Sequence, residues 1–478
     1  VNSYTFRYYY LATGMEGNAD ERIYSESGET KIDALVALCK KECDNFGSAS
    51  FFLGCLEIPD SVREMTEKKL ASVMKYEWQD LWPSNQNKEE PKPVVKPVVK
   101  PSSSRAASYV PPSGDIQTAR FVLVGEQPGR REVVSRRPFV GPAGRVLDEC
   151  LMVAGIQRSK CYFTNVIKDL DRPLSYYFKT SRSGPTLSRE GLDYLRALEN
   201  ELLQASPNAV FVAIGNVALW ALAERFAITK WRGSILKIKN RVVIPIIHPA
   251  TVIPPKNVYT NKLLIQYDLQ KAKKISDNGY HPIERKMIIS PSFNDCMAWL
   301  DKCEKEGLNG ATIDYDIEIH NEEVSCISFA CSPRAALCIP FVENRGDYFT
   351  IDQELAIWRK VGSILENNAI RKRGQNIGFD SHFLLRSYGI KASNADDTMI
   401  AQRTIMPDYP IGLDFICSIW TDLPYYKDEG KKFFKGYGGR WETLWEYNCR
   451  DSIACADAFP KQYEQIKTIE NEAAYERQ

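Results

Sequence analysis

Apolar residues in this chain come in two patterns, and their alternation divides it into segments. Residues 4–10 have strand propensity, and residues 31–43 carry Ile32, Leu35, Val36, Leu38 and Cys39 at helical spacing. Residues 50–56 then read as a strand and 64–82 as a helix, so residues 1–83 are expected to form a small α+β accessory unit. Residues 84–115 break this pattern. Lys92-Pro93-Val94-Val95 is repeated as Lys96-Pro97-Val98-Val99, and Ser102-Ser103-Ser104 follows. Proline removes backbone donors, so this is an extended linker whose lysines are solvated. Over residues 116–275, strands at 121–124, 162–165, 209–214 and 242–247 alternate with helices at 144–153, 190–203, 217–226 and 261–275. That βα alternation predicts a parallel sheet covered by helices on both faces, an α/β/α sandwich. A polar hinge at 276–286 leads to three consecutive strands at 311–317, 324–330 and 335–341, and a helix at 352–367. The remainder reads as mostly helical, so 287–465 is expected to be a mixed sheet flanked by helices, with a helical tail at 466–478.

Composition narrows the function classes. Lys+Arg number 62 against 61 Asp+Glu, a net charge of +1, so any affinity for nucleic acid must come from local basic patches. No apolar run approaches the roughly 18 residues of a membrane helix, and Asn2 to Tyr10 lacks the apolar core of a signal peptide. A soluble cytoplasmic protein without a membrane partner is expected. The 13 cysteines form no Cys-x-x-Cys pair and read as reduced core thiols. Cys39, Cys43 and Cys55 give only a weak metal hint.

Three short stretches carry the chemistry: Asp316-Ile317-Glu318, Asn376-Ile377-Gly378-Phe379-Asp380 and Tyr447-Asn448-Cys449-Arg450-Asp451. Strand alternation over 313–319 puts Asp316 and Glu318 on one face. Asp380 is expected to open a helix at 381–388, where the helix dipole favours a carboxylate. Tyr447 and Asp451 are four apart on a helix at 442–458 and share a face. Four converging carboxylates repel one another unless cations lie between them, and a hydroxyl at Tyr447 can orient an attacking water.

These segments resemble the DEDD-type 3′→5′ exonucleases of the tyrosine subclass, most like the exonuclease domain of A-family DNA polymerases. Asp316-x-Glu318, Asn376-x3-Asp380 and Tyr447-x3-Asp451 match its three motifs in order, and Asp397-Thr398-Met399 matches a segment common after the second. The resemblance implies a ribonuclease H-like mixed sheet. It implies that Asp316, Glu318, Asp380 and Asp451 hold two divalent cations, Mg²⁺ or Mn²⁺, with Tyr447 as a fifth catalytic residue. Asn376 is placed at the backbone or the DNA end. Phe383, Leu384 and Leu385 are candidate wedges for a terminal base, or core.

A second constellation starts at Gly125-Glu126-Gln127-Pro128-Gly129, directly after a strand. It continues through Arg137-Pro138-Phe139-Val140-Gly141-Pro142-Ala143-Gly144, Thr164-Asn165-Val166, Trp231-Arg232-Gly233 and His248-Pro249-Ala250. A flipped base needs an aromatic face, here Phe139, and an amide on its edge, here Asn165. An imidazole at His248 can stabilise negative charge on a departing uracil, and Glu126 can position water or stabilise a cationic sugar. The order resembles the uracil-DNA glycosylase superfamily, closest to family four and its covalently trapping relatives. The resemblance implies Glu126 and His248 as catalytic residues and Gln127, Phe139 and Asn165 as uracil-binding ones. Thr251 and Val252 are placed where apolar wedges enter DNA. That family carries four cysteines for an iron–sulfur cluster. Here Asp169 stands where one is expected, no cysteine pair precedes the first strand, and the cluster is expected to be absent. The acidic pair expected after Gly129 is reduced to Glu132.

The two domains in this order resemble the front half of bacteriophage A-family polymerases. Only 27 residues follow Asp451 of 478, which is too few for palm motifs, so a palm is expected elsewhere in a parent protein or in a separate chain. The reading is a proofreading-type exonuclease acting on single-stranded or frayed DNA 3′ ends, in the host cytoplasm if viral. Its glycosylase-like domain excises or senses uracil in DNA. A non-catalytic DNA- or uracil-binding accessory of a polymerase stays open as the alternative.

Overall fold

The structure is a computed structural model, and it describes residues 2–9, 21–28, 108–181, 184–343, 346–434 and 440–477. The elements expected at 31–43, 50–56 and 64–82, most of the linker, and Cys39, Cys43 and Cys55 lie outside the described residues. Asn2–Tyr9 pairs antiparallel with Glu21–Gly28, from Asn2 opposite Gly28 to Tyr9 opposite Glu21. The first of these strands was expected. The second has only Ile23 and Tyr24 as strong strand formers and gives no signal by periodicity.

The first sheet runs in the order Cys161–Asn165, Phe121–Gly125, Val210–Ile214, Arg241–Ile246, Leu236–Ile238. The first four strands are mutually parallel. The expected parallel sheet is present, with one short edge strand added to it, Leu236–Ile238, which turns back antiparallel on Arg241–Ile246. The central strands are buried along their whole length because both faces are covered. Val122, Val124, Phe211 and Ala213 pack into one core, and Phe121, Leu123, Val210, Val212 and Ile214 into the other. Strand alternation thus feeds two helical layers.

Helix Thr260–Asn278 runs past the expected start of the polar hinge, and Lys286–Ile288 already belongs to the second sheet. That sheet has the order Lys286–Ile288, Ala335–Pro340, Glu323–Ser332, Thr312–His320, Arg371–Gly374, Ala395–Asp397. Three strands form an antiparallel meander, and the others join in parallel, giving the mixed ribonuclease H-like arrangement. Reading the region after 341 as mostly helical missed the strands at 371–374 and 395–397. Arg371-Lys372-Arg373 looks like a solvated charge run, yet Lys372 and Arg373 are buried. Arg373 forks onto buried Asp314 through two bonds of 2.6 and 2.7 Å, and Lys372 donates to the Asn367 carbonyl at 2.7 Å. Arg373→Met would leave the Asp314 carboxylate buried without its cation. The expected result is a loss of about 3–5 kcal/mol, read as a shifted urea-unfolding midpoint.

Helix Trp441–Thr468 is longer than the expected 442–458 and continues through Pro460. Leu444, Trp445, Cys449 and Ile453 press on Cys326, Ala330, Ala336 and Cys338 of the sheet. The boundary expected at 465 falls inside this helix, and Ile466 and Tyr475 share a core cluster with Ala401 and Phe459. No helix among the described residues is long and apolar enough to cross a membrane.

Candidate nuclease and uracil-recognition sites

Asp316 and Glu318 project from one face of Thr312–His320, and Asp451 reaches them from the long helix. One carboxylate oxygen from each lies within 4.8 Å of the others. Burial pushes Asp316 well above the usual carboxylate range, and repulsion from Asp451, Asp380 and Glu318 adds to it. Burial and then Asp451 push Glu318 up to about 8, with Lys427 acting in the opposite direction. A convergent set of hard oxygen donors that cannot all ionise alone fits a divalent cation.

Asp380 stands outside the 4.8 Å group. Burial pushes it up to about 7, although its Oδ1 accepts the Ile317 N–H at 3.0 Å. It does not open its helix as expected. The helix begins at Ile377 after Asn376, which is left-handed with φ 54°. Asp397 takes the early donors instead, accepting the N–H groups of Asn376 at 2.9 Å and Ile377 at 3.0 Å. This gives the Asp-Thr-Met segment a turn-organising role. Leu384 is fully buried and belongs to the core, whereas Leu385 and Phe379 are exposed.

Three neighbours escaped sequence reasoning. Asn448 donates to Asp316 Oδ2 at 2.7 Å and to the Asp316 carbonyl at 3.0 Å. The Tyr426 hydroxyl donates to Asp451 Oδ1 at 2.7 Å. Lys427 pairs with Asp451 Oδ2 and donates to the Tyr447 hydroxyl at 2.7 Å. Burial works against its charge, but Asp451 and Tyr447 outweigh burial and hold its pKa well above the usual lysine range. Asn448 lies inside a motif and was open to inspection. Tyr426 and Lys427 carry no spacing signal relative to the carboxylates.

In the first sheet the chemistry collects where the parallel strands end, the usual ligand-binding edge of such sheets. Glu126 follows Phe121–Gly125, Asn165 ends its strand, and His248 follows Arg241–Ile246. Phe139 and Asn165 converge on Gly125. A Cβ there would lie 2.5 Å from Phe139 Cζ and 2.4 Å from Asn165 Oδ1, so glycine is required by close approach. Phe139 is itself left-handed, with φ 54°. Glu132 helps shape this turn. Burial raises its pKa, and the N–H groups of Gly129, Gly141, Phe139 and Val140 pull it down. Glu126 Oε1 accepts the Val217 N–H at 3.1 Å. His248 Nδ1 accepts the Ala250 N–H at 3.1 Å, which assigns the neutral ring's proton to Nε2. Burial lowers the His248 pKa, Glu126 raises it and Lys256 lowers it further.

Gln127 spends its amide N–H groups on the Asp169 and Arg172 carbonyls at 2.9 and 2.7 Å, bracing that loop. Val252, expected as a wedge, is buried in the core, and Thr251 bonds the His248 carbonyl at 2.9 Å. Large apolar side chains that this loop does expose include Val258 and Tyr259.

The family model described as uracil DNA glycosylase superfamily matches residues 111–266, and that described as 3′-5′ exonuclease matches residues 294–435. The second match ends before Tyr447 and Asp451. The type-4 uracil-DNA glycosylase of Thermotoga maritima is 31% identical over 163 residues, 34% of this chain and 79% of that protein. The chain belongs to the uracil-DNA glycosylase superfamily. It also carries a 3′-5′ exonuclease domain. The DNA polymerase of Bacillus phage SP01 is 31% identical over 137 residues, 28% of this chain but only 14% of the polymerase. Among solved structures, Brucella melitensis NrnC covers 40% of this chain and 86% of its own at 14% identity and a TM-score of 0.30.

The glycosylase domain departs from the resembling pattern at Asp169. Its carboxylate is fully buried, accepts the Tyr177 hydroxyl at 2.8 Å and the Asp171 N–H at 3.2 Å, and is also bonded by the Tyr194 hydroxyl. Lys168 beside it is buried and paired with Glu201 at 2.7 Å. Asp169 is therefore a buried carboxylate held by hydrogen bonds, with the Lys168–Glu201 pair beside it.

Proposed function

We propose that this chain is a metal-dependent 3′→5′ exonuclease of the proofreading type that shortens DNA from its 3′ end. The observation that carries the reading is the convergence of Asp316, Glu318 and Asp451 beside the Tyr447 hydroxyl. Asp316, Glu318 and Asp451 would hold Mg²⁺ or Mn²⁺, with Asp380 beside them. Divalent ions there supply the Lewis-acid charge that phosphodiester hydrolysis needs. The chain's own residues do the rest. Tyr447 orients the attacking water, Lys427 offers positive charge to the phosphate and fixes the Tyr447 hydroxyl, and Asn448 holds Asp316 in its rotamer. DNA is favoured as substrate because a uracil-DNA glycosylase domain shares the chain, and the phage polymerase similarity supports work alongside a polymerase palm.

For the glycosylase domain (residues 116–275) we propose binding of a flipped uracil, with Phe139 on the base face, Asn165 on its edge and the His248 Nε2–H toward its oxygen. Glu126 is the residue on which excision would depend.

Polarity is tested with a 5′-labelled single strand. A ladder descending one nucleotide at a time from the 3′ end is expected, and blocking that end should stop it. Shortening from the 5′ end, or internal cuts alone, would overturn the reading.

A further inference from the structure

Tyr426 and Lys427 meet the nuclease carboxylates, but the turn that carries them is gripped from the other side by the glycosylase domain. The Tyr425 N–H, one residue before, donates to Ser234 Oγ at 3.1 Å, and Ser234 is buried. The Trp231 ring meets the Tyr425 ring edge-on at 5.4 Å, and Lys230 pairs with Asp428 at 3.1 Å. Just upstream, helix Leu413–Trp420 is fastened at its C-terminal end. Arg232, paired with Asp268 and almost wholly buried, donates to Ser418 Oγ at 2.6 Å. Lys271 gives its three donors to the carbonyls of Gly233 at 2.9 Å, Ser418 at 2.6 Å and Thr421 at 2.9 Å. Gly233 has φ 72°, and a Cβ there would lie 2.5 Å from the Ser418 carbonyl oxygen, so the two backbones touch. A buried polar joint in which every donor finds a partner fixes one geometry rather than many. It ends at the turn whose next two side chains face Asp451. On the far side, helix Asp428–Phe434 lays Gly430 against the Tyr447 ring, where a Cβ would approach to 2.9 Å.

We infer that the glycosylase domain is the scaffold that sets Lys427 in the nuclease site, with Trp231 and Ser234 as positioning residues. The inference rests on the nuclease reading above. The Trp231-Arg232-Gly233 segment, whatever it does for uracil, then has a second task in the same chain. An isolated nuclease domain would lack the contacts of Trp231, Ser234, Lys230 and Lys271 with its turn at 421–428, and nuclease rate becomes a property of both domains.

The test uses the full chain. Trp231→Ala is expected to lower kcat for nucleotide release roughly tenfold with KM within about twofold, and Trp231→Phe to restore most of it. In a Lys427→Ala background, Trp231→Ala should cost nothing further, because both act through one group. Hydrogen exchange gives a readout independent of activity, since amides of 421–434 should exchange faster in Trp231→Ala while the first sheet keeps its protection. Ser234→Ala repeats the measurement with a smaller perturbation should Trp231→Ala fold poorly. An unchanged kcat and unchanged exchange, or losses that add to those of Lys427→Ala, would overturn the inference. Nucleotide release that survives Asp316→Ala would instead sink the nuclease reading, while the exchange result would still report on the joint.

Discussion

Asp316→Ala is expected to cut nucleotide release by at least about 10³-fold, because a lost ligand removes several kcal/mol of charge stabilisation at the phosphate. The same substitution should raise the melting temperature in chelator. Asp316 is held well above its usual pKa by burial and by Asp451, Asp380 and Glu318, so removing it relieves repulsion that the fold tolerates. Among the described residues, its carboxylate accepts a hydrogen bond from the Asn448 amide. Asn448 loses one acceptor and keeps the Asp316 carbonyl. Lost activity together with unchanged or raised stability separates a functional carboxylate from a structural one. A lower melting temperature in chelator would mark Asp316 as a packing residue.

Lys427→Ala is expected to lower kcat by roughly 10²-fold, the cost of removing one preorganised charged donor. Its ammonium bonds both the Tyr447 hydroxyl and Asp451, so the water-orienting group loses its support and the phosphate loses a nearby positive charge. The metal requirement should move the other way. Without the lysine, Asp451 keeps the Tyr426 hydroxyl among its described partners, and the cluster becomes more negative. Half-maximal activity should therefore need less Mg²⁺ than in the wild type. A metal titration of the variant checks both statements, and a higher Mg²⁺ requirement would contradict this placement of Lys427.

The carboxylates were legible because strand and helix periods fix who shares a face. Asp316 with Glu318, and Tyr447 with Asp451, follow from two-residue and four-residue spacing. Parallel strands such as Val210–Ile214 were legible as unbroken apolar runs. The strand Arg371–Gly374 was hidden because its charges are neutralised by tertiary partners, Asp314 above all, that no local pattern announces. Lys427 and Tyr426 were hidden for a related reason, since a long-range turn brings them to Asp451. Val252 was assigned to a surface by analogy of position and lies in the core, where an apolar side chain near a site is most often found, and Leu384, open between wedge and core, is core. Asp397 was noticed for its motif, and its work is to satisfy the first N–H groups of a helix.

The most direct test gives the purified chain a labelled single strand bearing one uracil, in excess Mg²⁺ and in excess chelator. A ladder from the 3′ end in Mg²⁺, and none in chelator, is the predicted result. Alkali-labile breakage at the uracil in chelator would add excision to the glycosylase domain's role. Undiminished nucleotide release in chelator would contradict a metal-dependent nuclease built on Asp316, Glu318 and Asp451.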